Sequence, residues 1–317
     1  VPELLSLPSM SLPQLIEYLV AVQRDLTEDE HGLIRETPFK DKAGEKRPLR
    51  ELYLEIANLS NLLKLPCLAW EGSRPLTEES EAGRFLIAHG LRPLPPVKIL
   101  LGAVKEASAA DRSIIFSHFI RNIDRYSQWQ SLAFLPTISD QVVKPTECYA
   151  EGDCALLGFA VLHPALKPHA HLLGIAPVPD GERVVKALCE LAFERNQFED
   201  ICDWIGRKIG LSRSHLHILN KTSFIPAPGD KNGWRTPAQV YFEVDESLSG
   251  IFTALQVESP MARSFLKQCG VGDQPSIPEI IQRLTEDPEG LLATVGVEGY
   301  LALLRKIASS GLSVDLQ

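Results

Sequence analysis

A repeated set of spacings constrains this chain more than any single motif in it. One copy reads Phe134-Leu135-Pro136, then Pro145, Tyr149, Gly158, Pro164 and Gly174-Ile175; the other reads Phe224-Ile225-Pro226, then Pro237, Tyr241, Gly250, Pro260 and Gly270-Val271. From the second proline of each copy the tyrosine follows at +4 and the first glycine at +13, and the later proline and glycine are 10 apart in both. Proline fixes the backbone and glycine frees it, so shared spacing of these residues implies shared chain geometry before it implies shared chemistry. Phe85-Leu86-Ile87-Ala88-His89-Gly90-Leu91 matches the pattern of Phe265-Leu266-Lys267-Gln268-Cys269-Gly270-Val271, which predicts a third, degenerate copy. From Pro75 to Gly90 that copy has only 15 residues, against 29 and 33 in the others.

Around these landmarks the periodicity alternates between helix and short extended segments. Ser11 and Pro13 open a helix with Leu15, Ile16, Leu19, Val22 and Leu26 on one face. Residues 28–46 are charged and read as a loop. Pro48 then opens a second helix carrying Leu49, Leu52, Tyr53, Ile56, Leu59 and Leu63, stopped at Pro66. In each copy a helix ends at a glycine that supplies a left-handed C′ residue. Further helices are predicted over 97–105, 110–123, 182–194, 198–209, 212–219, 277–284 and 298–307. Asn232-Gly233 between Ile225 and Trp234 predicts a hairpin with a two-residue turn. The expected fold is α+β and helix-rich, with about three units of helices plus a β-hairpin, an order that a winged helix shares. The units are 67–132, 133–222 and 223–317, after an N-terminal helical region over 1–66. Tyr149 and Tyr241 are expected to bury their rings and bond their hydroxyls, anchoring each hairpin to its helices.

With 44% hydrophobic and 23% charged residues the chain has the makings of a core. A net charge of −9 argues against broad phosphate-backbone binding. No apolar run reaches membrane-spanning length, and no signal-peptide pattern is present. Six scattered cysteines without a C-x-x-C read as reduced, mostly buried thiols of an intracellular protein. The chain opens on Val1 without an initiator methionine, which predicts excision from a longer protein.

Three clusters could carry chemistry. Cys148, Cys154, His163, His169 and His171 are zinc-ligand types, but C-x5-C-x8-H-x5-H matches no common finger. The second copy has Val240, Glu246, Phe265 and Lys267 in place of Cys148, Cys154, His169 and His171, so the repeat does not need metal to fold. Arg207, Lys208, Arg213, His215, His217 and Lys221, with Asn220, would line a recognition helix if the hairpins were wings; the plain reading is a solvated helix with Leu216 and Ile218 packed inward. The segment Arg121 to Trp129 mixes arginine with aromatics that could stack bases. No G-x-S-x-G, Rossmann or P-loop context marks a catalytic or cofactor site, and none is expected.

The Phe-Leu/Ile-Pro, Pro-x-x-x-Tyr and Gly-Ile/Val landmarks over 133–174, 223–284 and, more weakly, 85–101 resemble the region downstream of the ATPase domain in large fungal sacsin-like and NO VEIN-like proteins. That resemblance implies an upstream histidine-kinase-like (GHKL) ATPase domain in the parent protein. It implies a non-catalytic scaffold role here, coupling the ATPase to a protein partner or client. No nucleotide-binding residue carries over: Asn58 and Asn61 lie on a predicted helix, but no D-x-G-x-G follows. A tandem winged-helix nucleic-acid reader and a Cys- or metal-dependent enzyme are the alternatives.

Overall fold

The computed structural model describes residues 10–227, 233–245, 248 and 251–309. Asn232, Glu246 and Gly250 lie outside the described residues. The fold is α+β and helix-rich, with small sheets of short strands. It divides into two compact units, Val1–Leu135 with Val142–Pro145 and Pro136–Gln141 with Thr146–Gln317, so a boundary runs through one hairpin.

In the first unit helix α1 (Leu12–Ala21) starts at Ser11 through a capping box with Gln14, and buries Leu15, Ile16 and Leu19. Residues 28–46 are not a loop. They hold helix α2 (Glu28–Glu36) and most of a hairpin, β1 (Pro38–Lys40) against β2 (Lys46–Pro48). Thr27 and Glu30 cap α2 reciprocally, with three acids in its first turn; that local chemistry forms a helix that buries only Ile34. The helix predicted from Pro48 is absent too. A 3-10 turn (Leu49–Glu51) leads into extended Leu52-Tyr53-Leu54, and only α3 (Leu59–Leu62) is helical. Leu52, Tyr53 and Leu54 are all buried, as in a strand covered on both faces.

The extended segment belongs to a full first copy of the repeat. Tyr53 pairs in parallel with Cys67 on one side and Arg92 on the other; Tyr149 does so with Val161 and Ala176, and Tyr241 with Ala254 and Gly272. Each tyrosine is thus the middle of three short parallel segments. Leu54, Ala150 and Phe242 donate their N–H groups to the carbonyls of Arg92, Ala176 and Gly272 at 2.9, 3.1 and 3.1 Å. Leu49, Pro145 and Pro237 each start the 3-10 turn before the tyrosine strand. The boundary expected at 66/67 therefore falls inside a unit.

The second copy has the hairpin β3 (Leu135–Pro136) and β4 (Val142–Val143), then β5 (Cys148–Tyr149) and β6 (Ala160–Val161). Its helix before the glycine is a 3-10 segment, Pro164–His169, and not an α-helix, because Pro168 sits inside it. In the first copy α4 (Glu81–Ala88) takes that place. Helices α5 (Val97–Gly102) and α6 (Ala109–Arg121) follow the first copy, and α7 (Gly181–Cys189), α8 (Phe198–Lys208) and α9 (Arg213–Lys221) the second.

The third copy opens on β7 (Ile225–Pro226) and β8 (Trp234–Arg235). They pair Ile225 to Arg235 and Pro226 to Trp234, so the connection is longer than a two-residue turn at Asn232-Gly233. β9 (Val240–Tyr241), β10 (Thr253–Ala254), α10 (Pro260–Cys269), α11 (Ile277–Glu286) and α12 (Pro288–Ser309), kinked at Gly296, complete it. Helices α8 and α10 pack closely, with Gly206 against the Met261 carbonyl and Trp204 fully buried beside them.

The tyrosines bury their rings and bond their hydroxyls as expected, but they sit in the parallel three-segment core and not in a hairpin. Tyr149 is buried, lies edge-on to Phe159, and its hydroxyl accepts a hydrogen bond from Arg183. Tyr241 lies edge-on to Phe252 and bonds Glu279. Arg183 and Glu279 each stand nine residues past the copy's glycine, in the first turn of the next helix. The equivalent residue in the first copy is Ile99, and Arg92 serves instead, donating to the Tyr53 hydroxyl at 2.8 Å. Tyr149→Phe is expected to cost about 1 kcal/mol, the usual net value of one hydrogen bond. A thermal midpoint equal to that of the parent would show the bond to be unimportant.

Candidate functional site

What the three copies share is backbone; what differs is the side chain just before each left-handed glycine. That position is His89 in the first copy, Leu173 in the second and Cys269 in the third, and all three are buried. Leucine and a thiol are ordinary there. An imidazole is not, because its two ring nitrogens need partners once water is excluded.

His89 has both partners. Its Nδ1 lies 2.7 Å from the Phe85 carbonyl oxygen, one helical turn back, and its Nε2 lies 2.7 Å from Nδ1 of His31 on α2. A carbonyl can only accept, so Nδ1 of His89 carries the hydrogen and Nε2 offers a lone pair. Nδ1–H of His31 donates into it, which leaves Nε2 as the basic nitrogen of His31. The ring centroids are 5.0 Å apart with the planes 25° from parallel, the edge-to-edge arrangement that this N–H···N bond requires. Burial, then the charges of His31 and Arg35, holds His89 below the ordinary histidine value despite the Phe85 hydrogen bond. The pair opens on a cleft of about 490 Å3 lined by Val20, Ala21, Gln23, Glu81, Arg84 and Ala88.

The proposed metal ligands are not assembled. Among the described residues no group of three His, Cys, Asp or Glu side chains is placed to hold a metal ion. Cys148 and Cys154 are buried, and burial pushes their thiols up to about 11 and about 12. His163 is exposed and accepts the Ala165 N–H at 3.3 Å as a helix cap, His169 is half-buried and His171 exposed. All six cysteines are free; burial also raises Cys67, Cys202 and Cys269, the last to about 12. A thiol held neutral in this way is a poor nucleophile and a poor metal ligand.

The basic cluster divides. Arg207 is paired with Asp203 and Lys208 with Glu151 at 3.0 Å. His215 closes the capping box with Ser212, and its ring lies against Gly181. Asn220 Nδ2 donates to the Cys269 carbonyl at 2.9 Å, fastening α9 to the end of α10. Arg213, His217 and Lys221 remain, exposed and spaced four apart on α9. Leu216 packs on the core, but Ile218 does not point inward: it is 47% exposed. In 121–129 the stacking candidates are engaged. Arg125 forms a two-pronged pair with Glu78, Tyr126 lies 3.2 Å from His118 with burial pushing its hydroxyl up to about 12, and Trp129 is buried against Phe119 and Phe134. Among the described residues no helix is long and apolar enough to cross a membrane.

No curated protein and no solved structure matches the chain. A family model described as a protein of unknown function (DUF3684) matches residues 4–315, nearly the full length, and the chain belongs to that family.

Proposed function

We propose that this chain is a non-catalytic scaffold and interaction region of a larger, sacsin-like protein with a GHKL ATPase domain upstream, in an intracellular setting. It couples that domain to a protein partner or client. The observation that carries the reading is the tyrosine-centred core built three times, with different side chains around one backbone plan. Repeated scaffolds of this kind put their individuality into surfaces and not into a shared reaction centre. The buried thiols add to this, since they lack thiolate character. So does an apolar row on α12, where Val297, Leu301 and Leu304 are 66%, 44% and 44% exposed at helical spacing. The purified chain is expected to show no ATP hydrolysis and no stoichiometric zinc by elemental analysis. Turnover at an ordinary enzymatic rate would overturn the reading.

One observation favours a second reading, a nucleic-acid surface: the exposed stripe of Arg213, His217 and Lys221. Two cations and an exposed histidine on one helix face offer contacts to phosphates. In a band-shift titration at low salt the scaffold reading expects no shift. A salt-sensitive shift weakened by Arg213→Glu would establish the second reading instead.

A further inference from the structure

The His31–His89 pair can hold one proton more easily than two. A proton on Nε2 of His31 leaves both hydrogen bonds in place. The second must go to Nε2 of His89, where the His31 N–H already points from 2.7 Å. Two N–H groups cannot face each other at that distance, so the contact has to open. The surroundings sharpen this. From α2 the cations His31 and Arg35 bear on His89. From α4 the cleft carries Arg84 and Glu81, one charge of each sign, and the residues it takes from the end of α1 and just beyond, Val20, Ala21 and Gln23, carry none. Glu36 on α2 is engaged with Arg50 at 2.7 Å.

We propose that His31 and His89 form a proton-operated latch between α2 and α4, closed with no proton or one on the pair and opened by the second. The latch lies next to the centre of the first copy. Gly90 follows His89 and lies against the Arg50 backbone. Arg92 follows two residues later, donating its N–H to the Leu52 carbonyl at 3.0 Å and its guanidinium to Tyr53. Opening at His89 therefore loosens the strand that holds Tyr53. The other copies, with Leu173 and Cys269 in the same place, have no such group, so the acid response is confined to the first.

The sign follows from the direction of the shift. The unfolded chain binds a proton on His89 near the ordinary value of about 6.5, before the folded chain does. Stability is full above that pH and is lost as pH falls toward the lower folded value. His118 is also held low, by burial and then by Arg121 and Arg125, so it acts in the same window and needs a control. The carboxylates held low, such as Asp41, Glu78 and Asp203, act only in more acidic solution.

The test uses the whole chain in urea, with the unfolding midpoint followed between about pH 7.5 and 5. The parent is expected to lose midpoint steadily as pH falls. His89→Leu, the residue of the second copy, should remove at least half of that loss, whereas His118→Phe should leave the His89 share in place. An unchanged pH slope in His89→Leu overturns the proposal. Should that variant not fold, hydrogen exchange on the parent decides. Amides of 28–36, corrected for intrinsic rate, should open about tenfold more readily at the acid end, with those of 181–189 unchanged. Equal protection of 28–36 at both ends overturns it as well.

Discussion

Trp204→Ala is expected to lower the stability of the chain by about 3–5 kcal/mol, a large part of the 5–15 kcal/mol that ordinary domains possess. Trp204 is fully buried on α8, in the cluster with Val184, Ile201, Phe265 and Leu266. The neighbouring helix cannot move in to fill the space easily, because Gly206 already brings α8 against the Met261 carbonyl. Loss of contact is then compounded by a cavity. Among the described residues the indole Nε1 has no hydrogen-bond partner, which sharpens the comparison with Trp204→Phe. Phenylalanine gives up volume but also removes a buried N–H that costs about 1–3 kcal/mol to leave unpaired. It should therefore recover most of what alanine loses. Far-UV circular dichroism in urea is the readout, since it does not depend on the indole being replaced. An alanine variant within about 1 kcal/mol of the parent would mean that the site collapses freely and that this core is not rigid.

How far the sequence discloses this molecule depends on which interaction decides each segment. Helix 198–208 is legible in its apolar stripe and the acids and bases at its two ends, and helix 277–286 in its stripe and its Ser276 cap. In segment 49–63 the sequence misleads, because Leu49, Leu52, Ile56, Leu59 and Leu63 recur at helical spacing. The deciding fact is a non-local pairing of Tyr53 with residues at 67 and 92, which no local pattern reports. Leu49 stands where the other copies have Pro145 and Pro237, so the landmark that would have exposed the first copy is missing. Segment 28–36 misleads for the opposite reason: it lacks an apolar stripe and is set by its capping box, Thr27 with Glu30. The histidine site was half legible. Aligning His89 with Cys269 places an imidazole at a buried position, but only the fold brings His31 to it. The zinc and nucleic-acid candidates are neighbours in sequence, and in the fold burial and ion pairing engage most of them.

The left-handed glycines give the second large effect, and the three copies provide their own controls. Gly174 has φ +64 with open space where a side chain would go, so Gly174→Ala should cost only the left-handed penalty, about 1–2 kcal/mol. Asparagine tolerates that conformation, and Gly174→Asn should be close to neutral. Gly90 has φ +112, beyond the small left-handed basin open to other residues, with an ordinary contact to Arg50, so Gly90→Ala should cost more. Gly270 combines φ +110 with Asn220 Nδ2 only 2.1 Å from where a Cβ would sit. Alanine there is strained and also displaces Asn220 from the Cys269 carbonyl, so about 2–4 kcal/mol is expected. The order of urea midpoints should be Gly174→Ala above Gly90→Ala above Gly270→Ala. A double-mutant cycle separates the two parts of the Gly270 effect. In an Asn220→Ala background Gly270→Ala should cost about 1 kcal/mol less, because the hydrogen bond is already gone and the space is free. An equal cost in both backgrounds would put the whole effect in the backbone, and would mean that Asn220 does not hold α9 to the end of α10.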